Sequence, residues 1–161
     1  MTRPVALQRH SNIPESLKRR GDSFVLAPVK DPTGSAALEE LWARALGGSM
    51  YEICCIPMFA YDLHAFDRVE TDEGGQIVRL VSRGGHLTFR VFFKTIDQRE
   101  RISLVERITS RGCSVEAHSP KLVAIDAPAN LASEIAAQLA ALESDGKLEY
   151  ETGAMSARSD A

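Results

Sequence analysis

The side chains with most chemistry to offer fall in two stretches. His86, Thr88 and Arg90 alternate along His86-Leu87-Thr88-Phe89-Arg90-Val91-Phe92-Phe93-Lys94, and so share one face of a strand whose other face, Leu87, Phe89, Val91 and Phe93, is apolar. Tyr61, Asp62 and His64 lie upstream in the run from Ile56 to Val69, the densest local motif of the chain. Brought to one junction, these groups would make a pocket for an anion or carboxylate, with Arg90 as the fixed charge and His86 as the titratable group. The competing reading is that the same side chains bond loop carbonyls between two packed units. On either reading Arg90, in mid-strand opposite a core face, has to lie in a groove, at an interface or beneath the preceding residues, because its five donors need acceptors.

Other chemistries find little support. Cys54 and Cys55 are adjacent in an apolar run and point to opposite faces, so at most one could meet a given histidine. With Cys113 they make an odd number and no CxxC pair, which reads as buried, reduced thiols. His10, His64, His86 and His118 show no HxH or HxxxH spacing, and GxGxxG, phosphate-loop and GxSxG motifs are lacking. Asp126 among apolar neighbours reads as a strand-end carboxylate sooner than as an acid or base. No catalytic residue, metal site or cofactor is nominated. The ligand-binding candidates are His86, Thr88, Arg90, Tyr61 and His64.

The elements that must position them are clearest in residues 85–152. The strand from His86 is followed by Asp97 and Glu100 as a capping box, then Ile102, Val105 and Ile108 at helical spacing up to Gly112. The runs 113–117 and 122–126, joined by His118-Ser119-Pro120-Lys121, predict a hairpin. Asn130 is placed to cap a second helix with Leu131, Ile135, Leu139 and Leu142 on its buried stripe, ended by Gly146. Leu148 and Tyr150 alternate with Lys147, Glu149 and Glu151 in a last strand. This βαββαβ order predicts a ferredoxin-like sandwich, its first strand central.

Residues 23–84 predict a small β-rich domain, a barrel-like unit of five short strands. Residues 36–44 read both as a helix and as an alternating strand, and a strand over 40–46 is preferred because Gly47-Gly48-Ser49 turns naturally into 50–56. Asp72-Glu73-Gly74-Gly75 is a hairpin turn. Residues 1–22 carry Arg3, Arg9, Lys18, Arg19 and Arg20 without an apolar period and read as a flexible basic tail, with a second flexible tail over 153–161. The fold class is thus α+β, an N-terminal β-barrel-like unit followed by the ferredoxin-like sandwich.

Several separated motifs resemble a known family. Leu41-Trp42-Ala43, the run from Ile56 to Tyr61 with Asp67-Arg68-Val69, the run from Gly85 to Phe93, Gly112-Cys113-Ser114-Val115-Glu116 and Leu148-Glu149-Tyr150-Glu151 together resemble the bacterial family known as domain of unknown function 4265, over about residues 24–153. In that family the middle motif has glycines where this chain has Asp62 and Phe66. The family has no established activity, so the resemblance implies neither a reaction nor a ligand.

The 161 residues carry a net charge of −3, with 44% hydrophobic and 25% charged residues, ordinary for a globular protein. That charge lacks the broad basic field of a nucleic-acid binder. No apolar run reaches the roughly twenty residues of a membrane span, and no apolar leader follows Met1, so a cytoplasmic location is expected. With no catalytic constellation, the function expected first is non-enzymatic: a binding or regulatory protein, of immunity-factor type, that recognises another protein. The alternative class is a sensing or catalytic site for a small anionic ligand at the junction of the two domains.

Overall fold

The computed structural model describes residues 6–30 and 33–153. In chain order it contains β1 (Ala6–Gln8), α1 (Glu15–Lys18), β2 (Ser23–Lys30), β3 (Ala36–Gly47), β4 (Met50–Ile53), β5 (Arg68–Thr71), β6 (Ile77–Ser82), β7 (His86–Phe93), α2 (Gln98–Ser110), β8 (Ser114–Ala117), β9 (Leu122–Pro128), α3 (Ala132–Ser144) and β10 (Leu148–Thr152). The fold is mixed α+β with two sheets.

The first sheet is built on β3, which pairs β2 along one edge and β1 and β4 in succession along the other. Alternation buries Ala37, Leu41 and Ala43, the last two packed with Val25, Ala27, Ile53 and Val69. β3 starts earlier than expected because all of β2 is available to pair with it, from Ser23 opposite Ala43 to Lys30 opposite Ala36. The five strands of residues 23–83 are present and curl, but no barrel closes. Between β2 and β6 there is only the Leu26–Gln76 bridge, with the Leu26 amide donating to the Gly75 carbonyl at 2.9 Å.

The second sheet runs β10-β7-β9-β8, with β7 and β9 inside. Phe89, Val91, Phe93, Val123, Ile125 and Leu148 pack against Leu104 and Ile108 of α2 and Ile135 and Leu139 of α3. Two helix details differ from expectation. The stripe of α2 passes through Leu104 and Ile108, which leaves Ile102 49% exposed, and Glu100 turns from the cap to pair with Lys147 at 2.7 Å while the Asp97 carboxylate accepts the Glu100 amide. Asn130 does not cap α3: residues 129–131 form a 3-10 turn, and the helix starts behind it without a side-chain cap.

The expected basic tail is corrected over its described part. β1 adds in parallel to β3, and α1 inserts Leu17, 2% exposed, among Ile56, Met58, Ala65 and Ala124. Burial of that leucine, with the buried His10, compensates for ordering a polar segment. Residues 154–161 of the expected C-terminal tail lie outside the described residues. Gly153 is no tail residue, since it is buried and its amide donates to the Thr88 carbonyl at 2.8 Å.

Candidate functional site: the junction between the sheets

The polar face of β7 meets the first half of the chain. Loop 54–67, which joins β4 to β5, lies over it. Same-face residues of a strand stand roughly 7 Å apart, and each of the three finds its own partners. The His86 Nδ1 is 2.8 Å from one Asp126 carboxylate oxygen and 3.1 Å from the other, and the ring lies 4.4 Å from that of Phe66. The Thr88 amide, at 3.1 Å, and hydroxyl, at 2.9 Å, both donate to the His64 Nδ1, which makes His64 the neutral tautomer with its proton on Nε2. Burial lowers the His64 pKa and keeps that form. Arg90 donates to the Ala60 carbonyl, approaches a Glu151 carboxylate oxygen at 3.4 Å and stacks 4.7 Å over the Tyr61 ring.

Arg90 and Tyr61 therefore come together, His64 and Thr88 form a second pair, and His86 stands apart with Asp126. The five candidates line one junction without converging on one point. Arg90 sits on the wall of a groove of about 350 Å³ whose apolar walls are Met58, Phe59, Tyr61, Phe92 and Tyr150, with Lys30, Glu149 and Glu151 adding charge of both signs. Phe92 and Tyr61 are 43% and 41% exposed. Arg90 is 5% exposed, and its Nε–H is buried with no hydrogen-bond partner among the described residues.

The residues that hold loop 54–67 in place were not singled out from the sequence. Glu39 is fully buried and accepts four hydrogen bonds: the amides of Met58 (2.7 Å), Phe59 (3.0 Å) and Ala60 (2.8 Å), and His10 Nε2 (2.6 Å). The other ring nitrogen of His10 bonds the buried Glu116 of β8, whose second oxygen accepts the Ile56 amide at 3.3 Å. Burial opposes charge on His10, but the two carboxylates outweigh it and raise its pKa to about 9. For Glu39, burial likewise favours the neutral acid and is overcome by His10 and the loop amides, so its pKa is lowered. A third buried carboxylate, Asp67, accepts the His64 and Gly84 amides, each at 2.9 Å, and Arg83 at 3.0 Å. One signal for Glu39 was available in the sequence. It falls in phase with Ala37, Leu41 and Ala43, on the core face of its strand.

Two residues of loop 54–67 adopt left-handed backbone, Asp62 at φ 59° and Phe66 at φ 71°. They are the only non-glycine residues with positive φ among those described. Phe66 also faces Gly84 closely, since a Cβ there would come within 2.4 Å of the Phe66 carbonyl oxygen.

The three thiols are buried and unpaired, and burial pushes Cys54 up to about 11 and Cys55 and Cys113 upward as well. Among the described residues no group of three His, Cys, Asp or Glu is placed to hold a metal, and no helix is long and apolar enough to cross a membrane.

Fold and junction define an α+β protein in which an open curled sheet is locked onto a four-stranded sheet by buried carboxylates. The chain belongs to the family described as Domain of unknown function (DUF4265), whose profile matches residues 39–150. The fold is similar to that of a hypothetical protein from Neisseria gonorrhoeae, with a TM-score of 0.69 at 18% identity, over 80% of this chain and 92% of that one. No curated protein matches the chain.

Proposed function

We propose that the protein is a non-enzymatic binding protein that recognises a segment of another protein in the groove between its sheets. The supporting observation is the solvent-facing aromatic surface gathered there. Phe92 and Tyr61 present large apolar area beside Phe59, Met58 and Tyr150 at a place where strand and loop hold the walls. Aromatic side chains on a rigid frame are the usual anchors of protein recognition. The polar groups of the junction, by contrast, mostly engage one another, and the one hydroxyl–imidazole contact, Thr88 to His64, is buried and does not line the groove. We read the second half as the ferredoxin-like sandwich expected from the sequence; loop 54–67 covers the middle of its helix-free face, and the groove lies beside that cover. The reading places the protein in the cytoplasm, where buried thiols stay reduced, as a regulatory or immunity-type factor.

Peptide display against the full chain tests this, with Phe92→Ser as the counter-target. Phe92 is exposed, so the substitution leaves the core intact. Enriched peptides should bind the variant roughly tenfold or more weakly, a loss of about 1.4 kcal/mol. Equal affinity for both proteins would put the binding surface elsewhere.

A second reading rests on Arg90. A groove of about 350 Å³ with a buried, partly satisfied guanidinium in its wall also suits a small organic anion.

A further inference from the structure

We infer that β8, an outer strand of the second sheet, takes up an extended segment of a partner protein as one more antiparallel strand, whose side chains seat in the groove between β8 and α2. This surface is separate from the groove between the sheets, so the two readings stand or fall independently.

The backbone carries the first part of the argument. β8 pairs only with β9, from Ser114 opposite Asp126 to Ala117 opposite Val123. Just past the strand the His118 amide donates to the Leu122 carbonyl at 2.9 Å, and antiparallel alternation carries that bonded register back through Glu116 and Ser114. Val115 and Ala117 therefore turn their amides and carbonyls away from the sheet. Of these four outward groups only the Ala117 carbonyl has a partner among the described residues: it accepts from Asn12 Nδ2 at 2.9 Å. At β10, the other outer strand, the outward Tyr150 amide is instead met by the Glu143 carboxylate at 3.0 Å. An edge left uncovered in this way is a template for a further strand.

The side chains beside that edge match such an occupant. α2 buries Leu104 and Ile108, but Ile102 and Val105 carry its apolar face further round than the sheet can cover. With Val115, Ala117 and Val123 they line a groove of about 530 Å³, in which Ile102 is 49% exposed. Residues directly opposite Val115 and Ala117 on an added strand would point into it. Small β-branched side chains suit both the groove and the extended backbone. The rim holds one charge of each sign, Arg101 and Glu106. Arg101 also borders Pro120 and Lys121, at the turn end of β8, and Glu106 lies further along α2, toward Ser114. A strand antiparallel to β8 begins at the turn end, so charge complementarity asks for an acidic residue before the apolar ones and a basic residue after them.

The probe is the capped peptide acetyl-Glu-Thr-Val-Thr-Val-Thr-Lys-amide, titrated into the ¹⁵N-labelled full chain. It should shift the Val115, Ala117 and Ile102 amide resonances, slow hydrogen exchange at Val115 and Ala117, and leave Phe92 unmoved. The same peptide with both valines N-methylated lacks the donors that face β8 and should bind roughly tenfold or more weakly. The peptide of reversed sequence should lose affinity several-fold. Ala117→Pro removes an outward N–H without breaking the β8–β9 ladder, and should weaken the parent peptide as much as N-methylation does. Equal affinity of the parent and N-methylated peptides for the wild-type chain would overturn strand addition, whether or not Ala117→Pro folds. Equal affinity of the reversed peptide would overturn the charge assignment, and absence of any change at Val115 and Ala117 would overturn the site. Slow exchange of both amides in the free chain would give the edge to another part of this chain or, if it deepens with protein concentration, to a second copy, and either result overturns the partner strand.

Discussion

His10 is a cation shut between two carboxylates, and its titration bears on the whole junction. Its pKa is raised from 6.5 to about 9, so its contribution to stability is fully present below about pH 6.5 and is lost as pH rises through about 9. At 1.36 kcal/mol per unit the contribution is about 3 kcal/mol. Denaturation midpoints should therefore fall between pH 7 and pH 10, and His10→Gln should remove most of that slope. A wild-type slope shared by the variant would assign it to other groups. The left-handed Asp62 poses a second question of the same size. Holding a Cβ in that conformation costs about 1–2 kcal/mol, while glycine gives back part of the gain through a freer unfolded chain. Asp62→Gly should thus stay within about 1 kcal/mol of wild type, and Asp62→Val should lose clearly more because a β-branched residue tolerates φ 59° worst. The reverse order in urea melts would show that the Asp62 side chain, not its backbone, holds the loop.

Elements with a period of their own were legible in the sequence, and elements held by distant partners were not. The strands and helices from His86 to Thr152 announce themselves because each buries one face against a neighbour a few tens of residues away. Within them, the phase of α2 was misread because Ile102 looks like a core residue in any helix, and only the sheet's position leaves it outside. Alternation sets His86, Thr88 and Arg90 on the face of β7 that meets the first half of the chain, and Tyr61 stands out through its local motif. Their pairing into separate clusters depends on loop 54–67, which has no period and takes its shape from Glu39, Glu116 and Asp67. For α3 the element-level expectation is quantitative. Leu139 is fully buried, and Leu139→Ala should cost about 2–5 kcal/mol. Glu143 is exposed but accepts the outward Tyr150 amide at 3.0 Å, so Glu143→Ala should cost at most about 1 kcal/mol. Equal midpoints for the two variants would mean that the stripe of α3 is misassigned.

At the scale of the whole molecule, the N-terminal segment is what joins the sheets. His10 lies 29 residues from Glu39 on the first sheet and 106 from Glu116 on the second, contacts that no local reading of a polar, basic stretch could foresee. Leu17 fills the space between Ile56, Met58 and Ala65 of loop 54–67 and Ala124 of β9. Arg20 adds a surface link by reaching Glu52, which Arg44 also binds at 3.2 Å. Deleting residues 1–21 should therefore act far from its site. It removes the cation from two buried carboxylates, and an uncompensated buried charge costs about 3–5 kcal/mol. It also opens the cavity that Leu17 fills, at a further cost of about 2–5 kcal/mol. Part of the first cost is relieved because Glu39, whose burial favours the neutral acid once His10 is gone, can take up a proton, so the truncated chain should recover stability as pH falls toward 5, whereas wild type should not. Urea denaturation followed by tryptophan fluorescence, with Trp42 the single probe, would measure the loss at pH 7 and its recovery at lower pH. A truncated chain with the wild-type midpoint at pH 7 would return residues 1–21 to the role of a solvated extension, and the two sheets would then be held together by loop 54–67 and β7 alone.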